Sequence, residues 1–102
     1  MQITQMEQTA DRVAGLLKLL STRQRLMTLC HLVEGEKSVG ALCDAVGMKP
    51  PAMSQQLAIL RREGAIAARR DGQTIYYSIV DEDVRQIMTF LYSTFCQDIT
   101  GA

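Results

Sequence analysis

The order of periodicities along the chain predicts a mainly α-helical fold with one small β-hairpin. Apolar residues recur at helical spacing through most of the first two thirds of the chain. The spacing then changes to two around an Asp-Gly pair, and a last helical stripe follows an acidic cluster. With 102 residues the chain has enough length for one domain, spanning 1–102, with a single core. A core this small leaves apolar surface that a second copy would help to bury, so an oligomer is expected.

Val13, Leu16, Leu17 and Leu20 share a helical face, which predicts a first helix over roughly Glu7 to Leu20. Ser21 or Thr22 offers an N-cap to a second helix, in which Leu26, Leu29, Cys30 and Val33 form the apolar stripe. The segment EGEK breaks it. Ser38 can cap a short third helix running to about Val46, and Gly47 suits the left-handed residue that ends a helix. Pro50 and Pro51 fit the first turn of a fourth helix, where a missing N–H costs little, and Met53, Leu57 and Leu60 give it a buried face. Gly64 ends that helix. From Ala65 the runs AIAARR and QTIYYSIV flank Asp71-Gly72, which reads as the tip of a two-stranded ribbon closed by a type I′ turn. Asp81 can cap a fifth helix carrying Val84, Ile87, Met88, Leu91, Tyr92 and Phe95, with the acidic residues 81–83 at the positive end of its dipole.

Composition narrows the function classes. Eleven basic and eleven acidic side chains cancel, so only local charge is informative: Arg61, Arg62, Arg69 and Arg70 lie close together. The N-terminal stretch has no basic segment followed by a long apolar run, and no stretch approaches the roughly 20 apolar residues of a membrane span. A cytoplasmic protein without a membrane partner is expected. Three cysteines, an odd number at irregular spacing, argue against a disulfide framework. Cys30 and His31 are helix neighbours and point to different faces, so they form no dyad. No CxxC, HExxH, Gly-rich phosphate loop or Ser/His/Asp set occurs, so no catalytic residue, metal site or cofactor is expected and an enzyme is disfavoured.

A short helix, a tight Gly turn, a helix with small polar residues on its outer N-terminal face and then a basic hairpin make the order of a winged helix-turn-helix. In that motif the second helix enters the major groove. Ser54 and Gln55 project away from the Met53/Leu57/Leu60 face and can read base edges, with Pro51 beside them at the start of the helix. Lys49, Arg61, Arg62, Arg69, Arg70 and Gln73 suit phosphate contacts, which give register and affinity without sequence information. Each feature alone also describes an ordinary solvated helix or hairpin; their fixed order is what points to double-stranded DNA.

Residues 20–79, LSTRQRLMTLCHLVEGEKSVGALCDAVGMKPPAMSQQLAILRREGAIAARRDGQTIYYSI, closely resemble the ArsR-type winged-helix repressors, most specifically in SQQLAILRREG and RRDGQTIYYSI. The pattern LC.LVEGE.SVG.L with a cysteine near the end of the last helix resembles the sulfide- and persulfide-responsive branch of that family. The resemblance implies a homodimeric repressor on an inverted-repeat operator, reactive sulfur species as inducer, and Cys30 with Cys96 as the redox-sensing pair. Cys43 stands outside that pattern. Lys49 and Pro50 occupy positions where the family usually has Ser and often Gln. Ser38 and Gly40 stand where metal-sensing relatives carry Cys-x-Cys, and the last helix contains no His, which disfavours those metal sites. On the residues alone, Cys30 and Cys43 read as core thiols and Cys96 as a more exposed one. The alternatives are a repressor of the same fold sensing a thiophilic metal or haem, and a small thiol-redox enzyme.

Overall fold

The computed structural model describes residues 2–96. Its elements are α1 (Ile3–Leu20), α2 (Arg23–Val33), β1 (Lys37–Ser38), α3 (Val39–Val46), α4 (Pro50–Arg62), β2 (Ile66–Asp71), β3 (Thr74–Ile79) and α5 (Glu82–Leu91), continued by a π-helical turn over Tyr92–Cys96. This is the five-helix winged helix-turn-helix that the sequence predicts, and local chemistry explains most of its boundaries. Ser38 Oγ accepts the Ala41 N–H at 3.1 Å to open α3. Gly47, at φ 78°, closes α3, with its own N–H and that of Met48 both donated to the Cys43 carbonyl. Asp81 accepts from the backbone N–H groups of Asp83 and Val84 at 2.8 and 3.2 Å, and so starts α5. Lys49 is the N-cap of α4 and supplies no side-chain cap, which leaves the two prolines to start that helix.

Four expectations are corrected. Helix α1 begins at Ile3 rather than near Glu7, because no Gly or Pro interrupts the segment and Gln5 Oε1 accepts the Gln2 N–H at 3.3 Å. The buried face of α2 is Thr28, Leu29 and Leu32, while Leu26, Cys30 and Val33 lie half-buried at its margins. Thr28 tolerates full burial because its hydroxyl donates to the Gln24 carbonyl at 2.8 Å. In the hairpin Asp71 pairs with Thr74, so the two-residue turn is Gly72-Gln73, one position later than expected. Among the described residues positive φ is confined to glycines, here Gly72 at 65°; this excludes type I′ and matches the Gly-first pattern of type II′. Finally, Phe95 is exposed rather than part of the apolar face of the last helix.

The wing also gains a base. Lys37 and Ser38 pair with Tyr77 and Tyr76, so β3 is the central strand of a three-stranded antiparallel sheet, ordered β1-β3-β2. The core lies between that sheet and α2 to α5: Leu29, Leu32, Leu42, Met53, Leu57, Leu60, Val84 and Met88 are essentially inaccessible. Helix α1 contributes only Leu19 and Leu20 to it. Ile3, Met6, Val13 and Leu17 remain exposed, and with Ala10 they recur at alternating spacings of three and four, the pattern of a helix-helix seam. No described helix is long and apolar enough to cross a membrane.

Candidate DNA interface and thiol pair

Helix α4 presents two faces of different chemistry. Met53, Leu57 and Leu60 fix one face in the core, so Pro51, Ser54, Gln55, Ala58, Arg61 and Arg62 share the exposed side. Two polar contacts set the helix against α2: Thr28 Oγ1 lies 3.8 Å from Met53 Sδ, and Arg25 donates to Gln56 Oε1 at 3.2 Å. Arg25 also donates to the Leu19 carbonyl at 2.7 Å, so one guanidinium ties the end of α1 to α4. Nothing in the helical periodicity signals this role of Arg25, which depends on three elements meeting.

Between α4 and the wing lies a cleft of about 450 Å³ lined by Ser54, Ala58, Arg61, Arg62 and Tyr77. Arg61 and Arg62 are both exposed, Arg62 lying 3.6 Å from Glu63. Gln73 is exposed at the wing tip, where Arg70 donates to the Gly72 carbonyl at 3.0 Å. Lys49 is exposed at the start of α4. All these side chains therefore face solvent on α4 and the wing. Arg69 differs from them in donating two hydrogen bonds to one carboxylate, that of Glu36.

The thiols occupy three settings. Cys43 is buried in α3 beside the core. Cys30 on α2 and Cys96 at the end of the π-helical turn are both half-buried free thiols, near enough to each other to interact electrostatically. Burial pushes the Cys30 thiol above the usual range, and the negative charge of a Cys96 thiolate pushes it further. Sequence spacing could not join these residues; the return of α5 across α2 does. His31 is half-buried on the neighbouring side of α2. Among the described residues no group of three or more His, Cys, Asp or Glu side chains is placed to hold a metal ion.

Comparison with known proteins agrees with this architecture. Residues 22–67 match the arsR family of bacterial regulatory proteins. The biofilm growth-associated repressor of Xylella fastidiosa is 45% identical over 91 residues, which cover 89% of this chain and 80% of that protein. The transcriptional activator HlyU of Vibrio cholerae is 34% identical over 97 residues, covering 95% of this chain and 90% of its own. The structure of reduced HlyU from Vibrio cholerae superposes with a TM-score of 0.90 over 93% of this chain and 100% of that one, at 34% identity. The homodimeric winged helix-turn-helix DNA-binding domain of Mb0332 from Mycobacterium bovis superposes with a TM-score of 0.76 at 31% identity, covering 99% of this chain and 94% of that one. From α4 and the wing to the flanking helices, this chain belongs to the arsR family of bacterial regulatory proteins.

Proposed function

We propose that this protein is a homodimeric transcriptional repressor whose operator is released when reactive sulfur species bridge Cys30 and Cys96. The observation that carries the proposal is the proximity of these two thiols, one on the helix that buttresses α4 and the other on the turn that continues α5. Dimerisation is supported by the exposed apolar seam of α1 and by the homodimeric relative. Two copies of α4 would then enter successive major grooves of an inverted repeat, about 34 Å apart. Ser54 and Gln55, with Pro51 alongside, read bases; Lys49, Arg61, Arg62, Arg70 and Gln73 meet the backbone.

The chemistry needs no protein-bound cofactor. One cysteine thiolate attacks the terminal sulfur of a hydropersulfide R–S–SH; R–S⁻ leaves and Cys–S–SH forms. The second thiolate attacks the sulfur attached to the first cysteine, HS⁻ leaves, and a disulfide links Cys30 to Cys96. If both cysteines are persulfidated first, loss of H₂S between them leaves a trisulfide. Either bridge clamps α2 against α5, and α2 holds α4 through Thr28 and Arg25. A hundredfold loss of operator affinity requires only about 2.7 kcal/mol of coupling, within the range of allosteric proteins.

The deciding experiment is a mobility shift on the intergenic DNA upstream of the gene, in excess competitor, with reduced, peroxide-treated and polysulfide-treated protein. Polysulfide should abolish the shift while mass spectrometry shows the Cys30 and Cys96 peptides joined through two or three sulfurs. Loss of the shift with both thiols unmodified would overturn the sensing scheme. A shift that competitor DNA removes entirely would overturn the operator.

A further inference from the structure

The guanidinium of Arg69 is held from two sides. It donates to Glu36 through two bonds, Nε to Oε2 at 3.0 Å and Nη2 to Oε1 at 2.7 Å, and it lies 4.8 Å above the ring of Tyr76, its cross-strand neighbour. Glu36 precedes β1 on the turn that leaves α2, and Tyr76 also pairs with Ser38 of β1. The pairing draws the Glu36 carboxyl below the usual carboxylate range and raises the Arg69 guanidinium. Arg70, the next residue, has a different setting: its bond goes to Gly72 within its own hairpin.

We infer that Arg69 is a positioning residue that fixes the wing to the turn after α2, and that Arg70 rather than Arg69 supplies the wing's phosphate contact. This deepens the DNA-binding part of the function proposed above and rests on it. A guanidinium already bound in a fork by a carboxylate is locally neutral, and a phosphate approaching it meets the Glu36 charge as well. Turning Arg69 to DNA would sacrifice both bonds and the Tyr76 stack. Holding it in place keeps the hairpin at one angle to α4, and its neighbour then faces the backbone without a carboxylate in the way.

The test compares Arg69→Gln, Glu36→Gln and Arg70→Gln in the full chain by two measurements. Without DNA, hydrogen exchange of the amides where β3 meets β1, around Tyr76 and Tyr77, should speed up severalfold in Arg69→Gln and Glu36→Gln and stay unchanged in Arg70→Gln, whose own bond lies at the hairpin tip. The reversed pair, Glu36→Arg with Arg69→Glu, should restore protection. On a mixed-sequence DNA duplex, the slope of log affinity against log salt should flatten in Arg70→Gln by about 0.9, the share of one neutralised phosphate, and stay as in the parent in Arg69→Gln. A slope flattened equally by Arg69→Gln, or exchange unaltered by Glu36→Gln, would overturn the assignment. Because the duplex carries no operator, both readouts decide the role of Arg69 even if the parent protein shows no preference for its upstream DNA.

Discussion

Two glycines seven residues apart should respond to the same substitution with opposite sign. Gly47 ends α3 at φ 78°, and a Cβ built there meets nothing within 4 Å, so the cost of Gly47→Ala is conformational rather than steric. An L-residue in the left-handed region costs about 1–2 kcal/mol. Gly40 is the second residue of α3, with equally open space around its Cβ and no positive φ, so Gly40→Ala should stabilise by about 0.4–1 kcal/mol through the unfolded chain. Urea unfolding at one fixed protein concentration measures both, since a dimer's apparent stability depends on concentration. With an m value of about 2 kcal/mol/M, the Gly47→Ala midpoint should fall by about 0.5–1 M while the Gly40→Ala midpoint rises. Gly47→Asn should recover part of the loss, because Asn enters the left-handed region more readily. Equal effects at the two positions would refute the assignment of the α3–α4 turn, and with it the angle at which α4 is presented. A loss at Gly47 well above about 2 kcal/mol would mean a side chain crowds the turn, contrary to the open space found there.

Three further outcomes follow from the same geometry. Gln55→Ala removes an exposed side chain, so stability should change by less than about 0.5 kcal/mol, while operator affinity drops by about 1–3 kcal/mol per half-site and non-specific binding holds; equal loss on both DNAs in a competition assay would contradict a base-reading role. Asp81→Ala leaves two N–H groups at the start of α5 without their acceptor and should cost about 1–2 kcal/mol in thermal unfolding, with Asp81→Asn costing less. Because the folded Cys30 thiol titrates above its unfolded value, its stabilising contribution is complete below the unfolded thiol pKa near 8.5 and is lost as pH rises through the folded value. Iodoacetamide labelling of Cys30 should therefore accelerate at higher pH than for a free thiol, and Cys96→Ser should shift that profile back toward, but not to, the free-thiol curve, because burial is the larger cause.

The parts of the molecule legible in the sequence are those in which one residue type does one local job. Ser38, Gly47, Pro50 and Asp81 each mark a helix end by satisfying, or lacking, a backbone group within a few positions. Met53, Leu57 and Leu60 announce the buried face of α4 by spacing alone, and so define which side is left exposed. The hairpin turn sits one residue later than the Asp-Gly pair suggests because Asp-Gly and Gly-Gln both fit the strand pattern, and only the Asp71–Thr74 pairing separates them. The face of α2 departs from its apolar spacing for a related reason. Thr28 counts as polar in any periodicity, yet its hydroxyl is satisfied by its own helix and the rest of the side chain packs as an apolar one.

What could not be read locally is the set of contacts made by α2 and the turn that follows it. Arg25 reaches Gln56, Cys30 meets Cys96, and Glu36 receives Arg69. The partners lie on α4, on the turn after α5 and on β2, and no pattern within α2 encodes where those elements will pass. Yet these three contacts connect the parts that the proposed regulation has to coordinate: α4, the thiol pair and the wing. A covalent bridge at Cys30 would act in the C-terminal half of α2, between its contact with α4 at Arg25 and the turn that grips the wing at Glu36. A rotation of α2 imposed by that bridge would pull on both α4 and the wing, one tied to it at Arg25 and the other to the turn that follows it at Glu36. The apolar margin on which Cys30 sits makes this possible: fully buried, it would be closed to a sulfur donor, and fully exposed, its bridge would constrain nothing beyond a side chain.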